Sequence, residues 1–473
     1  MQTQLPLWNI VPHKPIAMST IWSQLKPFRF AILLILLFVV IDALHLAQHS
    51  LQLTRPEELT LTILLITAVL WITEAVPLYV TSLGVLAMSL LWLTPVLEKA
   101  GQNIEEAIFF QAFFGDITLL FMGGFVISAL LNKYGLAHRL ANWIIHKTGS
   151  EPSRVLLGLI VVSALLSMWI SNTATAAMMF AIITPVVMQY PNAPFSKALV
   201  LSIPFACNIG GLGTPIGTPP NAIAIGYLQQ AGFNITFAGW MLFAVPFVVL
   251  MLYLLWRMLL RSYPSEGIEI KLELQQYDPG FSPNQKAVLL IFSITILGWL
   301  SSGFTGISTG VVGLLVIILT FGTGLLKTPD FRNISWDILF MLGGGLCLGA
   351  ALTASGLTKT IAEAIPLGTG FWPILTLLMV LGALMSTFMS NTATANLLVP
   401  IAVSITGNEM IFAIVISVMC SSAMALPIST PPNAIAFGSG LLQAKDMFIR
   451  GITITIMAFV LAFAAIFIYK SLL

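Results

Sequence analysis

The sequence predicts an all-α polytopic membrane protein of about 11 transmembrane helices plus two re-entrant hairpins, set in two inverted-topology repeats with broken helices. Three observations predict it. Hydrophobic residues make up 58% of the chain and charged ones 8%, with a mean hydropathy of +0.97, which excludes an ordinary soluble domain. The pentad Ser171-Asn172-Thr173-Ala174-Thr175 returns as Ser390-Asn391-Thr392-Ala393-Thr394, each copy in the middle of a long apolar run. Each is followed, 47 and 40 residues on, by the string Thr-Pro-Pro-Asn-Ala-Ile-Ala, at 218–224 and 430–436. Two motifs duplicated in one order define an internal repeat.

Residues 1–27 are polar, with Pro and Lys, and 1–28 are expected to form a cytoplasmic tail. The first apolar run has no small-residue cleavage site after it, so it is expected to stay as the first span. Runs long enough to cross a bilayer fall at about 30–47, 59–76, 79–96, 117–134, 197–230, 237–260, 285–303, 308–326, 336–354, 409–442 and 447–470. The two runs that carry Ser-Asn-Thr, 155–189 and 371–405, are too long for one crossing and barely long enough for two. A re-entrant hairpin fits them best. The runs 197–230 and 409–442 must break at their proline pairs, Pro219-Pro220 and Pro431-Pro432. Gly210, Gly211, Gly213 and Gly217 loosen the first break further, and Thr218 and Thr430 are placed to cap the helices that restart.

The basic residues test this topology. With the N-terminus cytoplasmic and both hairpins returning to their own side, only Arg55, Lys99, Lys359 and Lys470 face outside, leaving 16 of the 20 Lys and Arg in the cytoplasm. If each hairpin run crossed once, the split would be 10 against 10. The hairpins then enter from opposite faces, the first from the cytoplasm, and their tips can meet near the midplane. Other pairs extend the repeat: Asp116 and Gly123-Gly124 with Asp337 and Gly344-Gly345, and Gly135-Leu136 with Gly356-Leu357. Amphipathic pieces at 134–150 and 356–368 are expected to lie along the interface, the first on a face of Leu136, Leu140, Trp143 and Ile144, the second on Leu357, Ile361 and Ile365.

Polar residues at membrane depth are costly and need a reason. A lone Ser-Asn-Thr could serve only to bond the preceding turn or a neighbouring helix. Two copies, each with its own proline break, point instead to a transporter binding site. A helix that restarts at a tip aims free N–H groups at an anion; the freed carbonyls, with Ser and Asn oxygens, suit a hard cation. Cys207, Cys347 and Cys420 lack paired spacing and read as small buried hydrophobes. A net charge of +2 gives no reason to expect nucleic acid. Glu74 is the one acidic residue deep enough to attract notice; it could be a proton or cation site, or cap the turn at Pro77.

The paired motifs, with Trp71-Ile72-Thr73-Glu74-Ala75-Val76-Pro77, resemble the divalent anion/sodium symporter family from about residue 60 to the C-terminus. The resemblance implies a homodimer in the inner membrane whose protomers have a scaffold part (29–150 and 285–357) and a transport part (151–262 and 358–473), joined by a cytoplasmic linker, 263–284, with the C-terminus outside. It implies one sodium at Ser167, Ser171, Asn172 and the Gly217 carbonyl, and another at Ser386, Ser390, Asn391 and the Ser429 carbonyl. Ser386 stands where relatives often have Thr, and Ser429 where they have a smaller residue. A dianionic C4-dicarboxylate, such as succinate, malate or fumarate, would touch Ser171, Asn172, Thr173, Thr218, Ser390, Asn391, Thr392, Thr430 and Pro431. The resemblance implies import by sodium symport with elevator movement, and no cofactor beyond the co-transported sodium ions.

The rivals are a proton-coupled carrier, a sodium-independent anion exchanger, and a sulfate or citrate symporter of the same architecture. Neither motif holds a His, Lys, Asp or Glu to carry a proton or replace sodium's charge. The same lack argues against an intramembrane enzyme, which needs a nucleophile with its base or a metal cluster. A channel would call for a symmetric filter instead of two opposed hairpins.

Overall fold

The computed structural model describes residues 29–102, 104–265, 280–364 and 370–472, and all regular structure among them is helical. The expected tail 1–28, most of the linker and the end of the second amphipathic piece, Ile365 included, lie outside the described residues. Eight helices among the described residues are long and apolar enough to cross a membrane. One of these, Phe371–Phe388, is a hairpin arm. The other seven, with the shorter Arg29–Ala43 and Thr309–Gly322 and two helices interrupted midway, make the 11 spans read from the sequence.

The first hairpin is Pro152–Ser167 and Asn172–Val187, and the second is Phe371–Phe388 and Asn391–Ser404. The broken helices are Pro194–Gly211 with Pro219–Gln230, and Glu409–Ser422 with Pro431–Gly438. Two glycine-bearing helices hold these units at equivalent places in the repeat. Asp116–Lys133 packs on Thr309–Gly322 with Gly123 against Gly313, and a Cβ on Gly123 would lie 2.5 Å from the Gly313 Cα. Trp336–Ser355 packs on Leu78–Met88 with Gly344 against Ser82. Small residues at such crossings let backbones approach closely where lipid offers no hydrophobic drive. The carboxylate of Asp116 accepts from Gly310 N at 3.0 Å and Thr309 Oγ1 at 3.1 Å, tying the start of its own helix to that of its partner.

Contacts distant in sequence join residues that the charge count assigns to one face. Lys133 pairs with Asp330 at 2.6 Å and Lys197 with Asp446 at 2.8 Å, both on the face read as cytoplasmic. The Lys133 hydrogen bond holds the Asp330 carboxyl below its ordinary range. On the other face Lys470 donates to Asn408 Oδ1 at 2.8 Å, and Thr360 donates to Glu57.

The amphipathic pieces form as Leu136–Thr148 and Leu357–Ala364, each opened by a glycine of positive φ, 67° at Gly135 and 86° at Gly356. The first turns a face of small and aliphatic residues to the neighbouring helices and leaves part of its expected interfacial face outward. Leu136, Ala137, Ala141 and Ile145 face inward, while Leu140 and Trp143 are exposed. The alanines permit the closest approach to the neighbouring helices, so the bulky side chains turn outward. The three cysteines are buried and free, as expected.

Candidate functional site

The two hairpin tips repeat one construction. Ser171 sits before the restarting helix and its Oγ accepts from Ala174 N at 3.3 Å; Ser390 does the same with Ala393 N at 3.1 Å. These caps satisfy one of the N–H groups that a helix start leaves free. One residue on, Asn172 Oδ1 accepts from Ser167 Oγ at 2.5 Å, and Asn391 Oδ1 from Ser386 Oγ at 2.8 Å. Ser386 Oγ also lies 2.9 Å from the Cys420 carbonyl, so its single proton serves one acceptor at a time. Each tip thus clusters neutral oxygens from both of its arms.

The breaks are held open by their own asparagines. Asn221 Nδ2 donates to the carbonyls of Thr214 at 2.8 Å, Gly211 at 3.1 Å and Leu212 at 3.3 Å. Asn433 Nδ2 donates to Met424 at 2.9 Å and Leu426 at 3.0 Å. These are carbonyls at or beside the interruption, which lipid could not satisfy. Each break is also braced from the opposite half. Ser417 Oγ donates to Asn221 Oδ1 at 2.8 Å, and Asn208 Nδ2 donates to Thr430 Oγ1 at 3.1 Å.

At the first break Gly211 lies against two of the four groups expected to hold a cation. A Cβ there would sit 2.9 Å from the Gly217 carbonyl oxygen and 3.0 Å from Asn172 Oδ1. The Gly217 carbonyl, the Asn172 amide oxygen and, through it, the Ser167 hydroxyl therefore converge. At the second, Ser429 Oγ donates to the Thr387 carbonyl at 2.8 Å, binding the break to the end of the hairpin's first arm. No group of three or more His, Cys, Asp or Glu occurs among the described residues. Neutral oxygens alone suit a monovalent hard cation better than a divalent or transition metal.

Both tips face one cavity of about 860 Å³. Ser171, Asn172, Thr173, Gly217, Thr218, Ser390, Asn391, Thr392, Ser429, Thr430 and Pro431 all line it. Ser167 and Ser386 do not; they are fully buried behind the tips. Four helices start at this cavity, at Asn172, Pro219, Asn391 and Pro431, and bring the positive ends of their dipoles to it. The far wall comes from Ile72, Thr73 and Glu74, from Phe121 to Ser128 on Asp116–Lys133, and from Ile338.

Sequence reasoning missed Asn208, which lines the cavity as well as bracing Thr430. An asparagine within the apolar run 197–230 was the available signal. It also missed Trp169, which lines the cavity from the first tip, stacks on Phe237 and meets Phe292 edge-on. Glu74 is the left-handed C-cap of Arg55–Thr73, but among the described residues its carboxylate makes no hydrogen bond in the turn, which is spanned by Trp71 Nε1 donating to the Leu78 carbonyl at 3.3 Å.

Two opposed hairpins and two broken helices around one cavity, with hydroxyl and amide side chains at its tips, define a membrane carrier of the inverted-repeat class. A family model described as citrate transporter (CitMHS) matches residues 68–410, and the chain belongs to that family. It is 32% identical over 420 residues to a protein of Staphylococcus aureus (strain USA300) named sodium-dependent dicarboxylate transporter SdcS, covering 80% of this chain and 79% of that one. The protein of the same name from Staphylococcus saprophyticus is 30% identical over 461 residues, 87% of each chain. Among solved structures, the Alcanivorax borkumensis YdaH transporter, described as having an unusual topology, aligns with a TM-score of 0.53 at 14% identity. It covers 75% of this chain and 84% of its own, and shows the fold alone.

Proposed function

We propose that the protein is a secondary active transporter that imports C4-dicarboxylates such as succinate, malate or fumarate across the inner membrane by sodium symport. The observation that carries this reading is the pairing of two neutral oxygen clusters with one cavity that four helix N-termini enter and no Lys, Arg or His lines. One sodium binds at Ser167, Ser171, Asn172 and the Gly217 carbonyl, the other at Ser386, Ser390, Asn391 and the Ser429 carbonyl. The carboxylates take the tips at Asn172, Thr173, Asn391 and Thr392, with Ser171, Ser390, Thr218, Thr430 and Pro431 closing round them.

Charge dictates the order. A dianion in a low-dielectric cavity needs compensating positive charge. A helix N-terminus supplies roughly half an elementary charge, and freed carbonyls cancel part of it. Sodium therefore binds first, at least two ions per substrate, and fixes the tips that receive the carboxylates. The names of the relatives support both sodium and dicarboxylate. In this reading the hairpins and broken helices move as a transport part against a scaffold of the remaining spans, each protomer of a homodimer acting by itself, with the N-terminus cytoplasmic and the C-terminus outside.

The test is uptake of radiolabelled succinate into proteoliposomes under an inward sodium gradient, a proton gradient, or neither. Uptake driven by sodium alone is expected; uptake driven by protons, or by internal anion without sodium, overturns the reading. The citrate description of the family model favours a second substrate, so citrate belongs among the competitors.

A further inference from the structure

One charged side chain lines the cavity, and it has the sign of the proposed substrate. Among the described lining residues only Glu74 is ionisable; the rest are apolar, hydroxyl, amide or glycine. It makes no hydrogen bond or ion pair within the described residues, and it is exposed. Its backbone is left-handed, φ 48° and ψ 32°, a conformation that glycine or asparagine adopts far more readily than glutamate. The turn does not depend on its carboxylate, because the fully buried Trp71 closes that turn onto Leu78. A carboxylate thus projects, unpaired, from a firmly held turn into a cavity built to receive anions.

Its position gives this charge a direction. Glu74 belongs to the far wall, while the groups that would hold the anion belong to the hairpins and broken helices. Resting on the symport and elevator reading above, the anion meets Glu74 in one end state and leaves it in the other. The charge count assigns the Glu74 end of Arg55–Thr73, and the Ile338 end of Trp336–Ser355, to the cytoplasm. We propose that Glu74 is a specificity- and direction-setting residue: its carboxylate repels the anion in the cytoplasm-facing state, lowers affinity on that face, and promotes release there. Coulomb repulsion scales with the charge of the ligand, so the effect is larger for a tricarboxylate than for a dicarboxylate.

The experiment compares wild type with Glu74→Gln, Glu74→Asn and Glu74→Asp in proteoliposomes of known orientation, with sodium saturating on the side assayed. Asparagine tolerates the left-handed backbone, so that neutral variant stands even where glutamine perturbs the turn. Both neutral variants are expected to lower the KM for succinate on the cytoplasmic face about tenfold, with less than about a twofold change on the outer face. Inhibition of succinate transport by citrate from the cytoplasmic face should tighten by more than the succinate KM falls. Glu74→Asp should resemble wild type on every count. Equal changes on the two faces, or an unaltered ratio of citrate to succinate affinity, overturn the proposal. A wild type that carries no succinate in sodium takes down the symport reading itself, and this proposal with it.

Discussion

Asn172 and Asn391 are the residues on which the proposed sodium coupling turns. Each presents an amide oxygen already held by a serine five residues earlier, at 2.5 Å and 2.8 Å, at a tip whose own motif carries no carboxylate to take over. Asn172→Ala or Asn391→Ala is expected to abolish sodium-driven succinate uptake while expression and oligomeric state stay as in wild type. Retained sodium dependence in either variant would remove that residue from the cation sites. These positions were legible because a repeated pentad at membrane depth has few other uses. The work of Asn221 and Asn433 was not legible, although both stand in a repeated motif, because their acceptors are carbonyls that only the folded break exposes. Asn221→Ala leaves the Gly211 carbonyl without a partner, while those of Leu212 and Thr214 keep Trp240 Nε1 and Gly217 N, and is expected to cost about 2 kcal/mol. Thermal unfolding of the detergent-solubilised protein measures it, and a midpoint equal to wild type would refute it.

The elements divide by how local their causes are. Breaks at Pro219-Pro220 and Pro431-Pro432 follow from missing N–H groups and were read directly, as were the hairpins, whose length admits few other solutions. Which residues of Leu136–Thr148 meet the neighbouring helices was not legible, because residue size as well as hydropathy decides which side a helix can approach. The same closeness makes one glycine decisive for the first break. A Cβ on Gly217 would lie 2.3 Å from the Gly211 carbonyl oxygen, a backbone atom that cannot swing aside. Gly217→Ala should therefore push the break open and draw the Gly217 carbonyl away from Asn172. The concentration of sodium needed for half-maximal uptake is expected to rise at least about tenfold, equivalent to about 1.4 kcal/mol at the first site. Gly84→Ala serves as the control, since nothing lies within 4 Å of its added carbon. Equal sodium curves for the two variants would show that the Gly211–Gly217 contact is not part of the cation site.

At the scale of the whole molecule, the inverted repeat could be read from motif order, and the distribution of its basic residues gives the expected sidedness of the loops. The way the proposed moving part grips the remainder could not, since it depends on side chains that carry no repeat. Tyr227 donates its hydroxyl to the Gly345 carbonyl at 2.5 Å, Gln230 Nε2 donates to Leu346 at 3.1 Å, and Asn396 Nδ2 donates to Met341 at 3.3 Å. All three acceptors lie on Trp336–Ser355, and Met341 and Gly345 are one helical turn apart. Beside them Gly345 and Gly349 present no side chain, so Asn396 and the Tyr227 ring rest directly on the helix backbone. A helix offers equivalent carbonyls every 5.4 Å or so, and donors sliding along it can exchange one acceptor for the next, as in one-turn ratchets. Under the elevator reading proposed above, the three bonds act as a latch that favours the conformation seen here. Tyr227→Phe with Gln230→Ala removes two of them, at about 1 kcal/mol each, and should shift the equilibrium away from this state by about thirtyfold. A cysteine at Thr173, in a background without Cys207, Cys347 and Cys420, reports the shift through its reactivity with an impermeant thiol reagent. With neither sodium nor substrate present, the latch variant is expected to react more slowly than its parent from the face this cavity opens to, and faster from the other. Identical rates from both faces would mean that these bonds persist through the cycle, and that Tyr227 and Gln230 belong to the rigid frame instead of the sliding contact.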